Sequence, residues 1–196
     1  MKRLFLYLVK ITAYLPLKLL FAVKVSGFKN IPESGGILVL NHSSQMDAAL
    51  LNACMPLTRI CFLASPRLFH CPAICQAFLR LLGAIPAGFN AQDIEALKKQ
   101  TDGVSRRNLI GFFSQGIISN TSSDFKPGAA IFAMQTGLPL IPVYIHTSLF
   151  LYGGSRIIAG APINVPVQRV TQENAQAITQ EVRSKVYELT GKHKNK

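Results

Sequence analysis

Gly35-Gly36-Ile37-Leu38-Val39-Leu40-Asn41-His42-Ser43-Ser44-Gln45-Met46-Asp47 is the stretch on which the reading of this chain turns. Two glycines close a turn that begins near Asn30, and four large aliphatic residues follow without a break. Such a run reads as a short strand buried on both faces, the habit of a parallel sheet. Polar residues begin abruptly at Asn41, so the strand delivers Asn41 and His42 to its C-terminal end. Ligand sites in open α/β sheets lie at that end. Asp47 comes five residues after His42, at the start of a helix-like run, Asp47–Met55. A tight Ser43-Ser44 turn can bring its carboxylate to one ring nitrogen of His42. An Asp that keeps one nitrogen protonated leaves the other free to take a proton, and the pair then reads as a general base seeking a hydroxyl. A purely structural His–Asp turn bond fits the same spacing.

Outward from this stretch, apolar runs and helical periods alternate. Strands are expected at Ala22–Gly27, Ile60–Ala64, Ala84–Ala87, Leu109–Phe113, Leu140–Ile145 and Arg156–Ala159. Helices are expected at Pro72–Leu82, Asp93–Gln100 and Lys126–Thr136, the last capped by Gly137. A final helix runs from an N-cap at Thr171 to about Thr190. The fold class is therefore α/β: a mixed, largely parallel sheet flanked by helices, preceded by an N-terminal amphipathic helix pair.

The 196 residues carry 49% hydrophobic and 15% charged side chains, enough for one domain with a sizeable core and no staples. Disorder and coiled coil are excluded by the apolar content and by the scatter of 14 Gly and 11 Pro. A mean hydropathy of +0.28 coexists with a net charge of +12, which suggests an acidic partner surface. Six of the basic residues (Lys2, Arg3, Lys10, Lys18, Lys24, Lys29) lie within residues 1–29, where no acidic residue occurs. Lys10 and Lys18 interrupt the apolar run, which is too short for a membrane span and wrong for a signal peptide. Pro16 divides it into two short helices, expected to lie in the bilayer interface with their lysines toward lipid phosphates; a core helix pair with a few solvated lysines is the alternative. Residues 1–22 are assigned to these helices and residues 23–196 to the α/β domain. Nucleic acid is not an expected partner: Trp is absent and no finger spacing or RNA-binding signature occurs.

Cys54, Cys61, Cys71 and Cys75 lie close together, but their spacing matches no zinc finger or ribbon. Zinc and a disulfide are the alternatives; the apolar neighbours favour free thiols buried in the core, on the reducing, cytoplasmic side of a membrane.

Asn41-His42-x4-Asp47 resembles the first block of the glycerolipid acyltransferases, the 1-acylglycerol-3-phosphate acyltransferase-like group of the lysophospholipid acyltransferase superfamily. The similarity runs in register from about Val25 to Val165. Gly27-Phe28-Lys29-Asn30-Ile31-Pro32 resembles the lead-in, and Gly83-Ala84-Ile85-Pro86 the second block. Phe113-Ser114-Gln115-Gly116-Ile117-Ile118-Ser119 stands where the family has Phe-Pro-Glu-Gly-Thr-Arg-Ser. Phe125-Lys126-Pro127-Gly128-Ala129-Ala130 and Leu140-Ile141-Pro142-Val143 complete the series. The resemblance implies acyl transfer from a thioester, acyl-CoA or acyl carrier protein, to a lipid or alcohol hydroxyl, with no metal or organic cofactor. His42 and Asp47 would be catalytic; Gln115, Gly116, Ile117, Ile118, Ser119 and Lys126 would bind substrate, and backbone N–H groups near Gly116 would serve the oxyanion. The protein would sit peripherally, as a monotopic enzyme, on the cytoplasmic face of a membrane. Membrane lipids and the acyl donor are the implied partners.

Of the departures from the family, which include Gln115 for its Glu, two bear on the acceptor. Ile118 and Phe89 stand where it carries the arginines that grip the acceptor's phosphate, and neither can form a bidentate fork. Lys126, Arg67, Arg106, Arg107 and Arg156 are the cations available to replace them. The polar run Ser119–Ser123 suits a neutral headgroup. The expected acceptor is therefore not standard lysophosphatidic acid. A non-catalytic lipid-binding protein of the same fold is the alternative function.

Overall fold

The computed structural model describes residues 8, 11–12, 16–86, 108–116, 118, 124–148 and 153–191. Seven strands form one sheet: β1 (Lys24–Ser26), β2 (Ile37–Leu40), β3 (Arg59–Ala64), β4 (Ala84–Pro86), β5 (Asn108–Phe113), β6 (Leu140–His146) and β7 (Arg156–Ala159), in the order β1-β7-β6-β2-β5-β3-β4. Five neighbouring strands, β6 to β4, run parallel; β7 pairs antiparallel with β6, and β1 runs parallel to β7. The described helices that follow β1 are α1 (Asp47–Cys54), α2 (Ala73–Leu81), α3 (Gly128–Thr136) and α4 (Gln172–Gly191).

Strand β2 lies inside the parallel portion, and all four of its residues are buried. Its alternation divides the core in two. Ile37 and Val39 point to the layer of α3 and α4, where they meet Phe112, Phe132 and Val186. Leu38 and Leu40 point to the α1 layer, among Leu50, Leu51, Ile60 and Ile141. Each such side chain contributes about 1.5–3 kcal/mol when fully buried, so a one-residue slip of β2 would exchange both sets and is strongly disfavoured.

The expected elements fall within a residue or two of the observed ones, with one informative shift. Helix α3 starts at Gly128 rather than Lys126, because the Lys126 N–H donates to Ser114 O at 2.7 Å and Pro127 takes the cap position. Gly137 ends α3 in the left-handed region at φ 70°, which favours glycine. Thr171 caps α4 through Oγ1, which accepts from Asn174 N at 3.2 Å. The helix expected at Asp93–Gln100 lies outside the described residues. At the N-terminus, residues 16–20 are helical; Leu17 and Phe21 pack on the α1-side core while Leu19 and Leu20 face outward.

The cysteines require a correction. All four are free, but only Cys61 is buried; Cys54, Cys71 and Cys75 are half-buried. Cys71 precedes α2, Cys75 lies on it, and α2 has no buried residue at all. Apolar neighbours in sequence did not become a covering in space, so these two thiols are not core groups. The hydrogen bond to Cys75 holds the Cys71 thiol above its ordinary value, with burial adding to it. Burial pushes the Cys54 thiol up to about 11 against the pull of Lys18.

Candidate active site

The sheet register builds the site directly. Leu40 pairs with Val143 where β2 ends. One residue on, the Asn41 side-chain amide takes over the ladder: Nδ2 donates to Ile145 O and Ile145 N donates to Oδ1, both at 2.8 Å. This amide replaces a peptide unit, so the backbone can leave the sheet without orphaning β6. The chain then turns through Ser43 and Ser44 and enters α1 at Asp47.

Asp47 is 0% exposed and accepts from five groups. Oδ2 takes the Ser43 N–H at 2.7 Å, the Ser44 N–H at 2.9 Å and His42 Nδ1 at 2.9 Å. Oδ1 takes the Ser43 hydroxyl at 3.1 Å and the Thr147 hydroxyl at 2.6 Å. Thr147 N donates in turn to Ser43 Oγ at 3.1 Å. With Asp47 accepting at Nδ1, the neutral His42 ring carries its free lone pair on Nε2. The ring is 20% exposed and stacks on Phe113 at 4.3 Å between centroids, with Phe62 behind Phe113 at 5.3 Å. Carboxylate and aromatic wall together fix the imidazole in one orientation.

The third block approaches from β5. Ser114 N donates to Leu40 O at 2.9 Å, extending the β2–β5 ladder by one bond. Gln115 is buried; its Oε1 accepts from the His42 backbone N–H, and its Nε2 donates to the Tyr187 hydroxyl at 3.2 Å. Burial pushes the Tyr187 phenol above its ordinary value, partly offset by the Arg183 guanidinium 5.7 Å from the ring centroid. Gln115 thus braces the backbone of the catalytic candidate against α4, rather than facing open space.

Gly116 adopts φ 70°, and a Cβ there would stand 2.7 Å from Lys126 Nζ. The Lys126 ammonium therefore lies across the third-block turn. The Gly116 N–H donates to Phe113 O at 3.0 Å, so that amide is engaged in the turn and is not a free oxyanion donor. Ile118 is exposed. Ile117 and Ser119, like Phe89, Arg106, Arg107 and the run to Ser123, lie outside the described residues. Arg67 and Arg156 are exposed at the same end of the sheet, Arg67 just after β3 and Arg156 opposite His146 at the end of β6. Of the five proposed cations, Lys126 is the described one in contact with the third block.

Nothing local in the sequence marks Thr147 or Tyr187 as part of the site. Thr147 stands 100 residues from Asp47, and Tyr187 lies 72 from Gln115. Among the described residues, no group of three His, Cys, Asp or Glu side chains is placed to hold a metal ion.

The sheet is parallel-rich, and a His–Asp pair stands at the C-terminal end of its buried strand β2. The acyltransferase family model matches residues 22–146, and the chain belongs to that family. A chloroplastic 1-acyl-sn-glycerol-3-phosphate acyltransferase of Brassica napus is similar at 22% identity over 191 residues, covering 93% of this chain and 55% of that protein. The chain thus spans about half the length of that curated relative. The crystal structure of the lysophosphatidic acid acyltransferase PlsC from Thermotoga maritima is similar with a TM-score of 0.66 at 25% identity, over 96% of this chain and 79% of that one. The fold and the family are those of the acyltransferases.

Proposed function

We propose that this chain moves a fatty acyl group from an acyl thioester to a lipid or alcohol hydroxyl, with His42 as general base and Asp47 as its partner. The observation that carries the reading is the closed shell of donors around Asp47, which leaves His42 Nε2 as the nitrogen open to an acceptor. The acceptor O–H would donate to Nε2 while its oxygen attacks the thioester carbonyl. The proton passes to the imidazole, and Asp47 stabilises the resulting imidazolium. Collapse of the tetrahedral intermediate forms the ester and expels the thiolate, which takes up the proton. Base catalysis of this kind contributes about 10²- to 10⁴-fold, with positioning adding more. None of the His42 contacts above involves a cysteine, which supports direct transfer without a covalent acyl-enzyme.

We further propose that the acceptor differs from standard lysophosphatidic acid, a reading supported by Ile118 and Phe89 at the positions of the family's phosphate arginines. Lys126, across the Gly116 turn, would meet an anionic group of the acceptor or donor. Residues 1–22 would lie in the membrane interface, a reading supported by the exposure of Leu8, Ile11, Leu19 and Leu20. Among the described residues, no helix is long and apolar enough to cross a membrane.

The test is mass spectrometry of lipid extracts from cells expressing wild type or His42→Ala. An acylated species that accumulates only with wild type supports transfer and identifies the acceptor. If no such species forms, and purified protein with labelled acyl donor and a lysolipid panel is also silent, the reading fails in favour of lipid binding.

A further inference from the structure

Two helices on the same side of the sheet are dressed in opposite ways. Helix α1 buries Leu50 and Leu51 in the core. Helix α2, held to α1 by the Asn52 Nδ2–Leu82 O bond at 3.0 Å, buries none of its residues. Ile74, Phe78 and Leu81 nevertheless follow one another at i, i+4 and i+7 and form a single strip. Ile74 is 83% exposed and Phe78 51%, while Leu68 in the 3-10 turn Pro66–Phe69 just before α2 is 55% exposed.

We infer that α2 and this turn form a docking surface for an anionic lipid bilayer, setting the His42 end of the sheet against the membrane. Charge selects this occupant. Arg67 and Arg80 are exposed beside the apolar residues, and no acidic residue occurs between Asp47 and Asp93. An apolar strip accompanied only by cations suits insertion below phosphate headgroups, with the arginine stems spanning the boundary. A second copy of the chain would instead bring the same arginines together across a two-fold axis. Topology sets the orientation: β2, β5 and β3 are parallel, so His42, Gln115 and the Pro66–Phe69 turn all follow strand C-termini at one end of the sheet. A lipid acceptor taken from that bilayer would have a short path to the imidazole. The inference stands apart from the acyl-transfer reading, and its test involves no chemistry.

The chain has no Trp, so Phe78→Trp places a single indole on the strip. With phosphatidylglycerol vesicles its emission is expected to shift to shorter wavelength and to be quenched by brominated acyl chains. This reports contact at α2 even if the N-terminal segment also binds lipid. Ile74→Ser with Phe78→Ser is expected to weaken vesicle partitioning at least about tenfold with unchanged thermal unfolding, because neither side chain is buried. Arg67→Gln and Arg80→Gln are each expected to weaken it about fivefold on phosphatidylglycerol but not on phosphatidylcholine. An indole that stays unquenched on vesicle-bound protein overturns the inference. So does a double serine variant that partitions like wild type, or a dimer in vesicle-free solution that Phe78→Ser dissociates.

Discussion

The turn after β2 and the turn after β5 meet at His42 yet are built to different standards. In the first, Ser43, Asp47 and Thr147 satisfy one another and the Asn41 amide pairs with the Ile145 backbone, so the shell closes through backbone and hydroxyl groups from β6 and its exit. In the second, Gln115 is braced on both sides, but Ser114 Oγ is buried without a partner among the described residues, and Ile118 is exposed to solvent. The difference separates two jobs. Orienting a base needs a rigid, fully paired cage, which the sheet supplies wherever β2 and β6 stay in register. On the proposed reading, acceptor choice falls to the part of the third-block turn beyond Gln115, where Ile118 is exposed and makes none of the cage's hydrogen bonds.

The comparison can be broken first at the cage. Asp47→Asn would turn an amide N–H₂ toward groups that all donate, and transfer is expected to fall about 10²-fold or more, with about 1–3 kcal/mol of stability lost. Kinetics and urea unfolding on the same preparation check both. A variant that keeps wild-type turnover would remove Asp47 from the mechanism. Thr147→Val deletes one arm of the cage and touches no substrate. Its expected cost is about 1.5–3 kcal/mol, from the loss of a hydrogen bond to a buried carboxylate, with turnover reduced more than KM. Equal stability would show that Thr147 merely fills space.

The other turn responds differently. Lys126→Met is expected to raise KM for the anionic substrate about tenfold, leaving stability and turnover nearly unchanged; a fall in turnover alone would move Lys126 from binding into the chemistry. The smallest effect belongs to Ser114→Ala. Removing a buried hydroxyl that lacks a partner is expected to be neutral or to stabilise by up to about 1 kcal/mol. A loss of stability would reveal a partner for that hydroxyl.

Much of this architecture is legible in the chain because local rules dictate it. Ile37–Leu40 had to be a buried strand, Gly137 a helix stop and Thr171 a helix start, and His42 and Asp47 lie close enough for one turn to join them. What the sequence could not reveal depends on distant partners. Asn41 finds Ile145 and Asp47 finds Thr147 only once β2 and β6 are neighbours, and Tyr187 reaches Gln115 only when α4 packs on the sheet. The thiols fail for the opposite reason. Periodicity shows that α2 has an apolar side but not whether anything covers it, and nothing described here does. The Gly116 N–H shows the same limit at smaller scale, since its engagement by Phe113 O depends on a turn geometry that no motif specifies.

The most direct test is single-turnover transfer with purified protein, labelled acyl thioester and a mixed lysolipid and alcohol panel, comparing wild type with His42→Ala at matched vesicle binding. The account predicts ester formation by wild type and a rate about 10²- to 10⁴-fold lower for the variant, with both proteins equally folded and equally bound. Equal ester formation by the two proteins, or label retained on the wild-type protein itself, would contradict it.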